Sequence, residues 1–161
     1  MNAITLTQPW ASLIASSAKT IETRSWFTPF RGPIAIHAAK TFPRWAMELT
    51  HDPEDGRLIR ESLKASGVVT LADLPLGCVI ATATLTACSP TAGISPTITD
   101  RELAFGDYSP GRFAWLFQDI IALPRPIPAV GHRRLWEIDE ALVMERGHPD
   151  GDESNGGEGD G

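Results

Sequence analysis

The chain has 161 residues and a formal net charge of −6; 42% of its residues are hydrophobic and 21% are charged. This length suits one domain with its own core, and the composition is that of a globular protein rather than a disordered or fibrous one. No apolar run approaches the roughly 20 residues of a transmembrane helix, and the N-terminus lacks the pattern of a signal peptide. We therefore expect a single cytoplasmic domain, monomeric and without a membrane anchor.

The charges are divided unevenly along the chain. Residues 137–161 hold nine acidic residues and one basic residue, whereas residues 1–46 hold five basic residues and one acidic residue, Glu22. A basic front half is compatible with an anionic partner, although the sequence pI of about 5.1 argues against strong nonspecific binding to nucleic acid. We expect residues 1–140 to form the domain, and 141–161 to be an acidic, Gly-rich tail that is disordered from about residue 147.

The first forty residues predict a strand, a short helix and two further strands. Pro9 suits the first turn of the helix, which should end near Ser17. The strands are predicted where apolar and polar residues alternate, at 3–7, 20–27 and 33–40.

The rest of the chain predicts a helical insertion at residues 41–67, followed by strands at 78–88, at 112–123 and at "LWEI". The loop 89–111 is too long for a plain connection, so we expect it to edge a site. The proline-rich residues 124–136 read as an irregular crossing. Together these elements predict an α+β fold with a small closed β-barrel, an early helix and a helical insertion.

Metal or cofactor binding has no visible signature. Cys78 and Cys88 are about 33 Å apart if they share one strand, so they should be reduced. The four histidines lack the spacing of a metal site, and no phosphate-binding loop or nucleophile elbow is present. We expect no cofactor.

Residues 17–24, "SAKTIETR", carry the densest charge pattern of the front half. They match the signature G-x-K-x-x-E-x-R at Lys19, Glu22 and Arg24, with Ser17 in place of the glycine. With the flanking "QPW", "SW", "TP" and "RG" and the later "GCVIATATLTAC", "FAWLFQD" and "LWEID", the chain resembles the activating signal cointegrator homology (ASCH) domain, in its cointegrator-type branch. The resemblance covers about residues 3–139.

This resemblance implies a PUA-like barrel and an association with nucleic acid, either DNA or RNA. It predicts a pocket that holds a nucleotide above a floor of Lys19, Glu22 and Arg24, with basic groups on phosphate, Glu22 on a base amino group and an indole stacked on the base. The full set of expected binding residues is Gln8, Trp10, Lys19, Glu22, Arg24, Trp26, Arg31, His37 and Lys40.

Alternatives to this binding function remain at this stage. Without the resemblance, Lys19, Glu22 and Arg24 would read as a surface salt-bridge trio worth at most about 1 kcal/mol. The ASCH family also includes ribonucleases and an N4-acetylcytidine hydrolase, so an enzyme would use Lys19 and Glu22 as catalytic residues. A third alternative is a protein-interaction module that uses the aromatic surface.

The catalytic alternative requires a lysine with a lowered pKa. In sequence, Glu22 and the preceding helix end should favour the charged form of Lys19, and only Arg24 opposes them. The acetylcytidine-hydrolysing branch has a threonine at the position of Glu22, and no later acidic partner can be assigned here. Trp45 and Trp115 are predicted to be core residues, and Trp136 is left open between the core and a pocket rim.

Overall fold

The computed structural model describes residues 1–147 and contains a six-stranded mixed sheet with the strand order β2-β5-β4-β3-β1-β6. The strands β1 and β3 are parallel, and the other neighbouring pairs are antiparallel. The strand bounds are β1 Asn2–Leu6, β2 Ile21–Arg24, β3 Gly32–Ala38, β4 Cys78–Pro90, β5 Phe113–Pro128 and β6 Leu135–Glu137.

Six α-helices accompany the sheet within the described residues. Their bounds are α1 Trp10–Ala15, α2 Arg44–His51, α3 Arg57–Ala65, α4 Thr91–Ile94, α5 Asp100–Phe105 and α6 Glu140–Gly147. The early helix α1 and the insertion helices α2 and α3 lie where the sequence predicts them. The part of the chain that the structure describes has no helix long and apolar enough to cross a membrane.

Alternation along the strands divides the core between the two faces of the sheet. Ile4 and Leu6 of β1 belong to the main core cluster, which also contains Ile14 of α1 and Trp115 of β5. Ala3 of β1 points to the other face, into a smaller cluster. A third cluster joins α1, α3 and α5. This sheet with its covering helices confirms the predicted α+β class, and β2 and β6 form the two ends of a curled half-barrel.

The proline-rich stretch is largely strand, so the predicted crossing at residues 124–136 is wrong over its first part. β5 continues to Pro128, which pairs with Cys78 of β4. The N–H of Ala129 donates to the carbonyl of Gly77 on the β4 side. The register between β4 and β5 shifts between the pairs Ala81–Ala122 and Val79–Ile127, so Pro124 and Pro126 lie outside the paired positions. Pro128 precedes Ala129, whose N–H points to β4, so the nitrogen of Pro128 points away from β4. β2 pairs with β5 only at residues 113–116. A proline costs no ladder hydrogen bond there.

The C-terminal helix α6 carries the folded part of the chain past residue 140. Val143 is buried in the cluster with Ala3, Ala35 and Val79. Residues from 148 onward lie outside the described part of the chain, and the predicted disorder of the tail concerns this segment.

Candidate functional site

A cavity of about 570 Å³ lies between β2, α1, α2 and the segment that joins α5 to β5. The two faces of β2 differ as the alternation predicts, because Ile21 and Thr23 are buried while Glu22 and Arg24 are half-exposed. The cavity is lined by Thr7, Trp10, Glu22, Thr23, Arg24, Ser25, Trp26, Trp45, Leu49, Ala104, Phe105, Gly106, Asp107 and Arg112. It therefore contains four of the predicted binding residues, namely Trp10, Glu22, Arg24 and Trp26.

Three tryptophans line this cavity. Trp10 and Trp45 are stacked, with ring centroids 5.5 Å apart and planes inclined by 29°. Trp26 meets the buried Trp115 edge-on at 4.7 Å, and the guanidinium of Arg134 lies 5.0 Å from the Trp26 ring centroid. The cavity thus has indole rings from α1, α2 and the end of β2, which suit contact with a planar ligand.

Charged groups of both signs face the same space. Arg24 Nη2 donates to the carbonyl of Thr5 at 2.7 Å, and Arg24 Nε is buried without a partner among residues 1–147. Glu22 Oε1 accepts from the N–H of Thr23 at 2.9 Å. Arg112 donates to the carbonyl of Thr23 at 3.2 Å and lies 3.5 Å from Asp107 Oδ2. A ligand in this cavity meets both hydrogen-bond donors and acceptors on fixed side chains.

Lys19 differs from the expected pocket floor because it is completely buried. Its Nζ donates to the carbonyl of Phe105 at 3.3 Å, and a Cβ at Gly106 would lie 3.6 Å from Nζ. Phe105 and Gly106 line the cavity, so the amine lies directly behind the cavity wall. The ion pairs that the structure describes join other residues, so the surface salt-bridge trio is wrong.

Burial lowers the pKa of Lys19, and the nearby carboxylates of Glu22 and Glu102 oppose part of that effect. The expectation that only Arg24 would favour the neutral amine is therefore wrong. Removing an ammonium group from water disfavours its charged form, and sequence neighbours do not reveal that cost.

Glu102 is a buried acidic residue near Lys19 that sequence reasoning did not single out. It is 7% exposed, and its Oε2 accepts from both the N–H of Thr20 at 2.8 Å and the hydroxyl of Thr20 at 3.0 Å. The hydroxyl of Tyr108 and Oε1 of Glu102 are buried without a partner among the described residues. Burial and the two carboxylates, Glu102 and Glu22, raise the pKa of Tyr108. Lys19, Glu102 and Tyr108 thus form a polar cluster behind the cavity wall, and Glu22, which lines the cavity, interacts electrostatically with it.

Besides Lys19, four predicted binding residues do not line the cavity. Gln8 is buried, and its amide is used within the fold, since it donates to Ser12 Oγ at 2.8 Å and to the carbonyl of Pro75 at 2.9 Å. Arg31 donates to the carbonyls of Thr28 and Phe30. Lys40 is exposed at the end of β3, away from the cavity.

His37 is the fourth, and it belongs to a buried network. Its Nε2 lies 2.8 Å from the carbonyl of Ala129, and its Nδ1 lies 3.1 Å from Thr5 Oγ1. Because the carbonyl only accepts, Nε2 carries the proton and Nδ1 accepts from Thr5, whose oxygen accepts from Trp136 Nε1 at 3.0 Å. Burial lowers the pKa of His37.

The prediction of Trp45 as a core residue is wrong, because Trp45 is exposed and lines the cavity, whereas Trp115 is a core residue as predicted. Arg112 is a cavity residue that sequence reasoning missed. Trp45 is 58% exposed because α2 buries only its small residues, Ala46 and Thr50. That pair at i and i+4 is the sequence signal that places Trp45 off the buried stripe. The predicted role of the long loop 89–111 as the edge of a site agrees with the position of residues 104–107 in the cavity wall.

The described residues include no group of three or more His, Cys, Asp or Glu side chains placed to hold a metal ion. The potential ligand contacts are therefore the indole rings, the two arginines, Glu22 and the backbone of the cavity wall.

The curled sheet with its helical insertion is an α+β fold of the PUA-like type, and solved structures share it. A crystal structure of ASCH from Zymomonas mobilis has a TM-score of 0.51 at 16% identity, with 89% of this chain and 91% of that chain covered. A point mutant of that protein has a TM-score of 0.50 at 16% identity, with 89% and 94% covered. At this identity the likeness shows the fold alone.

The ASCH domain family matches residues 4–113, and this chain belongs to that family, which is associated with RNA binding. Curated relatives are Activating signal cointegrator 1 of Homo sapiens, 27% identical over 137 residues, and of Mus musculus, 26% identical over 139 residues. These alignments cover 84% and 86% of this chain but 22% of each relative, so the chain spans about a fifth of their length.

Proposed function

We propose that this chain is a nucleic-acid-binding module that recognises a nucleotide in the cavity between β2, α1, α2 and the α5–β5 segment. The observation that carries the proposal is the composition of that cavity. Three tryptophans, two arginines and Glu22 share one space of about 570 Å³. Indole faces suit bases, guanidinium groups suit phosphate, and a carboxylate suits a base amino group.

The polar groups are already held in place before any ligand arrives. Arg24 is anchored on the carbonyl of Thr5, Arg112 on the carbonyl of Thr23, and Glu22 on the N–H of Thr23. Fixed side chains lose little conformational entropy on binding, which supports recognition rather than loose electrostatic attraction. This arrangement also agrees with the overall negative charge of the chain, which disfavours nonspecific binding.

The proposal is tested by measuring binding of short single- and double-stranded DNA and RNA oligonucleotides over a series of salt concentrations. Reaction products are analysed in the same samples. We expect salt-sensitive binding without products. Absence of binding to every oligonucleotide would refute the proposal and would favour a protein-interaction module.

Two variants separate phosphate contact from base recognition. Arg112→Gln should weaken binding to all sequences and reduce the salt slope by about 0.7–0.9, the value for one lost phosphate contact. Arg57→Gln is the matched control, because Arg57 is exposed on α3 and pairs with Glu61. Glu22→Gln keeps an acceptor for the N–H of Thr23, so it should change base preference more than overall affinity.

The second candidate is a small hydrolase that acts on RNA or on a modified cytidine. The observation that favours it is the buried amine of Lys19, whose pKa is lowered and which lies near Glu22 and Glu102. A neutral amine can act as a base, and a neighbouring carboxylate can exchange protons with it. The wall of Phe105 and Gly106 stands between this amine and the cavity, so we place this function second.

Lys19→Met distinguishes the two functions. If the chain is a hydrolase, the wild type releases acetate from N4-acetylcytidine or cleaves RNA, and Lys19→Met abolishes turnover while the substrate still binds. If it is a binding module, the wild type forms no product, and Lys19→Met changes affinity little because the amine does not line the cavity.

A further inference from the structure

Trp45 is a large apolar side chain that the fold does not bury. It is 58% exposed, although it lies on a helix whose buried residues are Ala46 and Thr50. The helix α2 is therefore seated on the domain by small residues, and Trp45 stands beside that contact, at the cavity. An exposed indole at the edge of a cavity is a common feature of binding surfaces.

The two stacked tryptophans have different surroundings. Trp10 packs against the cluster that contains Leu13, Ile59 and Phe105, so it is the inner ring of the pair. Trp45 covers Trp10 at 5.5 Å, and within residues 1–147 no other aromatic ring contacts Trp45. The stack thus begins on the core and ends on a ring that remains accessible to a further planar group.

We propose that Trp45 is the stacking platform for an unpaired nucleobase, and that the ligand of this module is therefore single-stranded nucleic acid. The inference rests on the proposed function and specifies its ligand class. Inside a duplex both faces of each base are covered by neighbouring bases, so a tryptophan stacks on an internal base only after that base has left the helix. Because every base has a π-face, Trp45 should contribute affinity with little base preference, and Glu22 should contribute the preference.

A purely structural role for Trp45 predicts different results for substitutions of this residue. If Trp45 only attaches α2 to α1 through Trp10, its removal should lower the melting temperature, and ligand binding should fall only as far as the fold is disturbed. A stacking platform instead predicts a loss of affinity at temperatures where the variant is fully folded. Trp45→Phe should then retain most of the affinity, since a smaller aromatic ring still stacks.

The experiment compares wild type, Trp45→Ala, Trp45→Phe and Met47→Ala. Met47 is the matched control, because it is an apolar residue of the same helix, 38% exposed, and does not line the cavity. Binding is measured with single-stranded RNA, single-stranded DNA and the duplex of the same sequence, and melting temperatures are recorded. We expect Trp45→Ala to bind the preferred single strand about 5- to 100-fold more weakly, the range for one stacked base, and Met47→Ala to match wild type.

Two results would overturn the inference while the proposed function stands: equal single-strand affinity of Trp45→Ala and wild type, or equal losses for duplex and single strand. Failure of the wild type to bind any oligonucleotide would instead refute the proposed function, and this inference with it. Comparison of single-stranded RNA with single-stranded DNA shows which of the two the module prefers. Stacking predicts that Trp45→Ala weakens binding of the preferred strand in either case.

Discussion

Glu102 provides a direct test of how the cavity wall is held in place. Its Oε2 accepts two hydrogen bonds from Thr20, at 2.8 Å from the backbone N–H and at 3.0 Å from the hydroxyl. Thr20 directly precedes β2, whereas Glu102 lies on α5, whose end forms the wall at residues 104–107. Glu102→Leu removes this connection without changing the size of the side chain greatly.

The expected cost follows from the number and kind of bonds lost. Hydrogen bonds to a charged group contribute about 1.5–3 kcal/mol each, and water can take over the N–H of Thr20 because Thr20 is exposed. Loss of the unpartnered Oε1 offsets part of this, because its burial is itself unfavourable. We expect Glu102→Leu to lower the free energy of unfolding by about 3 kcal/mol, which is about 6–12 °C in melting temperature for a domain of this size.

Glu102→Gln separates the hydrogen bonds from the charge. Its amide oxygen still accepts from Thr20, so we expect a loss of about 1 kcal/mol. Glu61→Gln is the surface control: Glu61 is exposed and pairs with Arg57 on α3, and its substitution should change stability by less than about 0.5 kcal/mol.

Urea unfolding followed by circular dichroism measures all three variants, and oligonucleotide binding is measured under conditions in which each is folded. Glu102→Leu should also bind more weakly than Glu102→Gln, because the cavity wall loses its tie to β2. If Glu102→Leu is as stable as Glu61→Gln, or if Glu102→Gln and Glu102→Leu are equally destabilised, the connection to Thr20 does not have the energetic role assigned to it.

Two further predictions concern His37 and Gly106. Because burial lowers the pKa of His37, the folded state binds this proton less readily than the unfolded chain, so stability should rise with pH up to about 6.5 and fall below it. His37→Gln should reduce the slope of the unfolding free energy against pH in the range just below pH 6.5, by at most about 1.4 kcal/mol per pH unit. An unchanged slope would contradict this reasoning. At Gly106, whose φ of −145° any residue adopts, a Cβ would lie 3.0 Å from Tyr108 Cε2, so Gly106→Ala should cost about 1–2 kcal/mol. A double-mutant cycle tests this steric explanation: the destabilisation by Gly106→Ala should largely disappear when Tyr108 is also replaced by alanine. Equal destabilisation with Tyr108 and with Tyr108→Ala would count against it.

Much of the fold and part of the site follow from local sequence patterns. Alternation at Ile4 and Leu6 predicts a strand with one buried face, and the same period places Glu22 and Arg24 together on the cavity side of β2. The signature around Lys19 predicts the family. These inferences succeed because they depend only on backbone periodicity and on residues within a few positions of each other.

The residues that were missed or misplaced depend on contacts between distant parts of the chain. The prolines after residue 123 are compatible with a strand because the β4–β5 register shifts beside them and because β2 pairs with β5 only at residues 113–116. Trp45 is exposed because α2 packs through Ala46 and Thr50, a choice made by the surface it meets. A local pattern specifies which face of a helix or strand is apolar, but not which surface will cover it.

Lys19 shows most clearly which properties local sequence determines and which only the tertiary structure determines. Its sequence neighbours predict a charged side chain at the edge of a site, and its closeness to Glu22 follows from that local pattern. Its burial depends on Phe105, 86 residues later in the chain, whose carbonyl accepts a hydrogen bond from Nζ. Phe105 and Gly106 together separate the amine from the cavity. Solvent exclusion depends on every atom that packs around a group, so tertiary structure alone decides whether this lysine faces the ligand or lies behind the wall that does.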